Sequence, residues 1–143
     1  MRVVLDTNVL ISHLLPSSSA SVAEWVIDTA VTGRFTILVN DQLLRELSSR
    51  VTRKPYLAQR IELYELTRFL TLLSEIAELV HLSSTPHPSV VRDAEDDYLI
   101  ALAVAGKADI LVTGDRDLLA IADLTPFRIM TLRALTNMLD ASE

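Results

Sequence analysis

Val3–Asn8, with the sequence Val-Val-Leu-Asp-Thr-Asn, is the stretch from which the fold of this chain can be predicted. Three consecutive apolar residues are typical of a short buried strand, and the polar residues that follow indicate a turn at its carboxyl end. Asp6 would then lie at the edge of an open parallel sheet where ligands bind. The same stretch also allows a structural role for Asp6, as the N-cap of a helix over Val9–Leu15.

A second apolar run, far along the chain, ends in the same way. Ile110–Asp115 has the sequence Ile-Leu-Val-Thr-Gly-Asp, so Asp115 is also expected at the carboxyl end of a strand. Both acids would therefore lie on one edge of the sheet.

Segments with strand character alternate with segments of helical spacing over the whole chain. The other predicted strands are Phe35–Val39, Val80–Leu82 and Phe127–Thr131. The other predicted helices are 22–33, Asp41–Val51, a long helix Arg60–Leu79, Asp93–Ala105, Asp115–Ala122 and Leu132–Leu139. This alternation predicts one α/β domain over residues 1–143, a three-layer α/β/α sandwich with a mostly parallel sheet of roughly five strands.

The composition is typical of a packed domain in a reducing compartment. The chain has 143 residues, of which 50% are hydrophobic, and no cysteine. The lack of cysteine excludes thiolate metal sites and cysteine nucleophiles. No apolar run is long enough to span a bilayer, and no signal peptide is recognisable. We therefore expect a soluble cytoplasmic protein without membrane contact.

The net charge of -6 argues against binding nucleic acid through bulk positive charge. The charges are nevertheless unevenly distributed, with acids concentrated in Asp93–Asp117 and bases in Arg45–Arg60. This separation could place metal ions beside phosphates, although two solvated faces would explain it equally well.

Acidic residues open the predicted helix Asp93–Ala105. Four acids in its first turn exceed what the helix dipole favours, and they repel one another unless a cation joins them. Asp96 shares a helical face with Leu99 and Ala103, so it is preferred over Asp97 as the residue facing the core edge.

Glu46 belongs to the predicted helix Asp41–Val51, which would begin at the same sheet edge. Taken alone, Glu46 would be an exposed glutamate paired with Arg50 at i+4. Several carboxylates at one edge suit a hard divalent cation such as Mg²⁺ or Mn²⁺. Such a site can lower the pKa of a bound water and stabilise an in-line phosphodiester displacement. No glycine-rich phosphate loop or serine–histidine–acid arrangement offers an alternative.

Four segments in this order resemble the PIN domain family, and in particular its toxin components of bacterial and archaeal toxin–antitoxin systems. They are Val3–Asn8, Leu43–Leu47 followed by Arg53-Lys54-Pro55, Asp93–Asp97 and Leu111–Leu118. The resemblance implies a three-layer α/β/α fold and a Mg²⁺- or Mn²⁺-dependent ribonuclease that cuts single-stranded RNA and leaves 5′-phosphate and 3′-hydroxyl ends. A cognate antitoxin would be a separate chain.

The resemblance also implies roles for individual residues. By position, the family's acidic catalytic site falls on Asp6, Glu46, Asp96 and Asp115. Asp6, Asp96 and Asp115 would hold one or two metal ions, and Glu46 would bind a second ion or orient the attacking water. The auxiliary groups would be Asn8, Asp97, Thr113 and Asp117. One residue departs from the family pattern, because Asn40 stands where a serine is expected as a helix cap.

Contacts with RNA and with other protein chains are less sharply defined by the sequence. Arg50, Arg53 and Lys54 are the RNA-binding candidates, together with Arg45 and Arg60, although a solvated helix face explains them equally well. Outward apolar residues of the helices over 60–79 and 98–105 are compatible with a homodimer, and core packing explains them as well.

Two other functions remain open at this stage. A phosphohydrolase could use Asp6 as a nucleophile through an aspartyl-phosphate. However, the chain lacks a second aspartate two residues later, and its only lysines are Lys54 and Lys107. A non-catalytic RNA-binding module would keep its affinity for RNA after loss of the acids.

Overall fold

A parallel β-sheet lies at the centre of the protein. The computed structural model describes residues 1–15, 20–81 and 94–141, with the backbone alone for residues 20–23 and 94–97. The strands are β1 (Arg2–Leu5), β2 (Thr36–Val39), β3 (Glu78–Leu79), β4 (Ile110–Val112) and β5 (Arg128–Met130). All pairings between them are parallel, in the order β3-β2-β1-β4-β5. The predicted α/β class is confirmed.

Helices connect the strands over the described ranges. They are α1 (Thr7–Leu14), α2 (Ala20–Val31), α3 (Asp41–Arg53), α4 (Pro55–Ala58), α5 (Leu63–Ile76), α6 (Ala94–Ala105), α7 (Arg116–Ala120) and α8 (Leu132–Ala141). A short 3₁₀ turn, Ala122–Leu124, follows α7. None of these helices is long and apolar enough to cross a membrane.

β1 is the central strand, and its sequence explains why. Val3, Val4 and Leu5 are at most 1% exposed, as expected for a strand that is covered on both faces. The chain leaves β1 toward β2 and β3 on one side and later adds β4 and β5 on the other. The strand order therefore reverses between β1 and β4, and the carboxyl ends of these two strands border the crevice where α/β folds bind ligands.

Side-chain caps begin two of the helices at this carboxyl edge. The Asn40 Oδ1 atom accepts a hydrogen bond of 2.8 Å from the backbone N–H of Leu43, so asparagine caps α3 where the family pattern has serine. Asp115 caps α7 through a 2.8 Å hydrogen bond from the Asp117 N–H.

The predicted long helix Arg60–Leu79 and the predicted strand Val80–Leu82 are wrong in their boundaries. Glu62 has an extended backbone that starts α5 at Leu63, and Ala77 has φ −91° and ψ 155°, which ends the helix. The chain then enters β3 at Glu78, two residues earlier than predicted. Val80 still donates its N–H to the Val39 carbonyl at 2.7 Å, whereas Leu82 lies outside the described residues.

α6 is as deeply buried as its apolar sequence predicts. Residues 98–103 are all buried, and α6 contacts β1, β2 and β4. Val104, at 44% exposure, is the large apolar residue of this segment that remains on the surface. Core packing therefore accounts for most of the apolar residues of α6 that the sequence also allowed as a dimer surface.

Candidate functional site

Asp6 is a buried carboxylate at the carboxyl end of β1. It is 4% exposed, and its backbone N–H bonds the Val112 carbonyl of the neighbouring strand at 2.9 Å. The Thr113 hydroxyl donates to Asp6 Oδ2 at 2.6 Å, and the Thr7 hydroxyl lies 3.2 Å from Asp6 Oδ1. Asp6 occupies the N-cap position of α1 but makes no side-chain cap bond, so capping does not explain its carboxylate.

Thr113 joins Asp6 to the segment that carries Asp115. While its hydroxyl donates to Asp6, the same Thr113 Oγ1 atom accepts the backbone N–H of Asp115 at 3.0 Å. Asp115 is half-buried, and one of its carboxylate oxygens is used to cap α7. The structure therefore brings Asp6, Thr113 and Asp115 into one hydrogen-bonded chain.

A second chain of contacts runs from α3 to the start of α1. The Arg50 Nε–H donates to Glu46 Oε1 at 2.9 Å, and an Nη1–H of Arg50 donates to Asn8 Oδ1 at 3.1 Å. The i+4 pair predicted from the sequence is present, and Asn8 extends it to the residues that directly follow Asp6. Glu46 and Asn8 are thus both brought to this edge.

Electrostatics link Arg50 to the acids around it. Burial lowers the pKa of the Arg50 guanidinium, but the hydrogen bond from Arg50 to Glu46 and the charges of Glu46, Tyr98 and Asp6 outweigh this effect. The net result is a raised pKa for Arg50, which therefore keeps its positive charge.

Tyr98 is the site residue that the sequence analysis missed. It is 7% exposed, and its hydroxyl has no hydrogen-bond partner of normal geometry among the described residues, although the Thr7 side chain is close enough to influence it. Burial raises the pKa of the Tyr98 phenol, and the charges of Asp6 and Glu46 raise it further. A tyrosine at the start of an apolar helix gives only a packing signal in the sequence.

Asp96 and Asp97 belong to the first turn of α6, one turn or less before Tyr98. Their side chains lie outside what the structure describes, and so does Asp93 as a whole, so the choice between Asp96 and Asp97 stays a prediction. Within the described part of the chain, no group of three or more histidine or acidic side chains could hold a metal ion. The described oxygen donors, Asp6 and Asp115, are of the type that Mg²⁺ and Mn²⁺ prefer.

The remaining predicted residues are more exposed to solvent than Asp6. Asp117 is exposed in the first turn of α7, where its backbone N–H donates to the Asp115 side chain that caps the helix. Arg53 and Lys54 are exposed at the carboxyl end of α3, the helix that carries Glu46. The Arg60 guanidinium stacks on the Tyr56 ring at 3.9 Å from the ring centroid.

A profile of the PIN domain family matches residues 2–117, and the chain belongs to this family. It is therefore a PIN-type nuclease domain at the level of the family. An uncharacterized protein of Methanocaldococcus jannaschii is 25% identical over 128 residues, which cover 86% of this chain and 76% of that protein. Among solved structures, VapBC2 from Rickettsia felis, bound to a DNA fragment from their promoter, matches with a TM-score of 0.55 at 18% identity, over 91% of this chain and 97% of the other. This last likeness supports the fold.

Replacing Thr113 by valine tests whether its hydroxyl stabilises the buried Asp6. We expect Thr113→Val to lower the free energy of unfolding by about 2 kcal/mol, because a buried carboxylate loses a hydrogen-bond donor. Urea unfolding at pH 7 without added metal measures the change. Thr136→Val is a matched control, since the Thr136 hydroxyl only bonds a carbonyl of its own helix at 2.9 Å. Equal effects of the two substitutions would contradict this role of Thr113.

Replacing Tyr98 by phenylalanine tests the environment of its hydroxyl. Because the pKa of Tyr98 is raised in the folded protein, its contribution to stability is complete below the unfolded pKa of about 10 and falls as the pH rises above it. Tyr98→Phe should therefore keep the stability at pH 7 and reduce its decline above pH 10. Thermal melts from pH 7 to 11 measure both effects, with the exposed Tyr64→Phe as control. An unchanged alkaline decline in Tyr98→Phe would refute this reading of the site.

Proposed function

We propose that this chain is a Mg²⁺- or Mn²⁺-dependent endoribonuclease that hydrolyses single-stranded RNA in the cytoplasm as the toxin of a toxin–antitoxin pair. Membership of the PIN domain family supports nuclease chemistry. The choice of RNA and of the metal rests on the sequence motifs and on the oxygen donors at the carboxyl edge of the sheet.

The environment of Asp6 is the observation that carries the proposal. Burying an ionised carboxylate costs free energy, which hydrogen bonds and a counter-charge offset. Thr7 and Thr113 supply hydroxyls, but no cationic side chain of the described residues forms an ion pair with Asp6. A divalent ion held by Asp6, Asp96 and Asp115 would supply the missing positive charge.

The residues of the site would have separate roles around such an ion. When bound, the ion would lower the pKa of a water and stabilise charge at the scissile phosphate. Thr113 fixes the orientation of Asp6 and, through the Asp115 N–H, the position of the segment that carries Asp115. Glu46 would orient the attacking water, with its own position held by Arg50.

Partners follow from the exposed surface and from the relatives. Arg53 and Lys54 are exposed at the carboxyl end of the helix that carries Glu46, where they would bind the RNA backbone. The VapBC2 structure from Rickettsia felis supports an antitoxin as a protein partner. Leu63 and Tyr64, about two-thirds exposed at the start of α5, support a further contact, for which we propose a second copy of the chain.

Replacing Asp6 by asparagine tests the metal-dependent reaction. The amide of the introduced asparagine keeps an acceptor for a threonine hydroxyl, so we expect the fold to survive while cleavage of a fluorescent single-stranded RNA falls by about 100-fold or more. Mg²⁺ should raise the melting temperature of the parent protein but not of Asp6→Asn, because only the parent binds the ion tightly.

Asp140→Asn is the control for this test, since Asp140 is an exposed acid on α8. It should cleave at the parental rate and keep the Mg²⁺ effect. Parental cleavage by Asp6→Asn would refute the assignment. Trapping of Asp6 with beryllium fluoride would instead favour the aspartyl-phosphate reaction, whereas RNA binding without any cleavage by the parent protein would favour a binding module.

Replacing Arg53 and Lys54 by alanine tests the proposed RNA contact. Each lost phosphate contact should reduce the slope of log affinity against log salt by roughly 0.7 for single-stranded RNA. Fluorescence anisotropy with the Asp6→Asn background, at several salt concentrations, measures the slope without cleavage. Lys107→Ala with Arg128→Ala removes the same charge at the opposite edge of the sheet and should leave the slope unchanged. Equal slopes for both double variants would remove these two residues from the RNA-binding site.

A further inference from the structure

Arg50 holds a fixed position among the acidic residues of the site. Its Nε–H bonds Glu46 at 2.9 Å and its Nη1–H bonds Asn8 at 3.1 Å, so two different elements, α3 and the start of α1, determine where the guanidinium lies. The Arg50 side chain is only 18% exposed and that of Glu46 28%. Charges in such a half-buried position are weakly screened by solvent.

A surface ion pair does not account for this arrangement. An ordinary i,i+4 pair on a helix is exposed, contributes little to stability and contacts nothing beyond its own helix. Arg50 instead contacts Asn8, which is 42 positions away in sequence and two residues after the buried Asp6. Asp6 is also among the charges that raise the pKa of Arg50. The guanidinium therefore belongs to the acidic site.

The position of this charge affects how many metal ions the site can hold. In a two-metal site the ions lie about 3.5–4 Å apart, so an ion beside the one at Asp6 would need further oxygen ligands on the α3 side. Glu46 is the acid available for a second ion on the α3 side, and one of its oxygens is already bonded to Arg50. A second divalent ion at Glu46 would lie next to a fixed positive charge and would be repelled by it.

We propose that Arg50 takes the place of a second metal ion at Glu46, so that the chain binds a single divalent cation on the Asp6 side of the site. This inference rests on the proposed function, because it presupposes that Asp6 contributes to a metal site. It assigns Arg50 a role inside the site, where it positions Glu46 and supplies positive charge opposite the bound ion.

Counting bound metal ions tests the inference without any measurement of cleavage. The metal-free parent protein is titrated with Mn²⁺, and free Mn²⁺ is followed by electron paramagnetic resonance. We expect one bound Mn²⁺ per chain for the parent. Arg50→Met should bind a second Mn²⁺, with an affinity gain at Glu46 of about tenfold or more, because the repulsion is removed. Arg50→Lys keeps the charge and should again bind one.

Arg128→Met is the matched control for the change in net charge. Arg128 is exposed at the amino end of β5, on the edge of the sheet opposite Asp6, and should leave the count at one. Circular dichroism checks that each variant is folded; if Arg50→Met is not, the equally neutral Arg50→Gln takes its place, and two bound ions are again expected.

The possible results separate this inference from the proposed function. Two Mn²⁺ ions bound to the parent, or one ion bound with unchanged affinity by folded Arg50→Met, would overturn the role of Arg50 and leave the metal-dependent nuclease intact. No Mn²⁺ bound to the parent would overturn the metal site of the proposed function, and the role of Arg50 with it. One ion for the parent and for Arg50→Lys, with two for Arg50→Met, supports both.

Discussion

The hydrogen bond between the Thr113 hydroxyl and the buried Asp6 carboxylate is the contact on which the functional edge depends. It joins the two central strands immediately beyond their last paired residues, Leu5 and Val112. A carboxylate at 4% exposure has lost most of its hydration, so the donors that replace water decide where it can lie. Because Thr113 also accepts the Asp115 N–H, one hydroxyl sets the position of two acids.

Arg50 and Tyr98 give this edge its electrostatic character. Arg50 brings positive charge to the α3 side, where Glu46 and Asn8 hold it. Tyr98 closes the edge from α6 with an apolar ring and a hydroxyl that finds no partner among the described residues. The charge of Arg50 thus acts on Asp6 while its hydrogen bonds go to Glu46 and Asn8, and the Asp6 carboxylate is held by the hydroxyls of Thr7 and Thr113.

Much of this could be predicted from the sequence because the decisive signals are local. A short apolar run followed by an acid marks β1 and β4, and parallel strands necessarily share their carboxyl edge, which places Asp6 and Asp115 together. The boundaries of α5 and β3 could not be predicted in this way. Apolar residues recur at helical spacing on both sides of Glu62 and of Ala77. The helix nevertheless begins after Glu62 and stops before Ala77, because these two residues adopt extended backbone angles.

The contacts of the site also differ in whether local sequence signals predict them. The Glu46–Arg50 pair follows from their spacing on one helix. The contact of Arg50 with Asn8 and the approach of Tyr98 to Asp6 depend on how α3, α6 and the start of α1 pack around the sheet, and no residue pattern encodes that packing directly. The roles of Asp96 and Asp97 rest on the family motif and on the helical face of Asp96, since the structure describes only the backbone of these two residues.

The hydrogen bond from Thr113 to Asp6 spans 107 positions of the sequence, which has a consequence for the order of folding. A growing chain completes β1 long before β4 has been synthesised, and until β4 inserts beside β1 the Asp6 carboxylate lacks the Thr113 hydroxyl that holds it. Contacts between residues so distant in sequence form late, after most of the loop entropy has been lost. Chains that end before β4 therefore carry Asp6 without the hydrogen bond from Thr113, and the arrangement around Asp6 forms only once β4 has inserted beside β1.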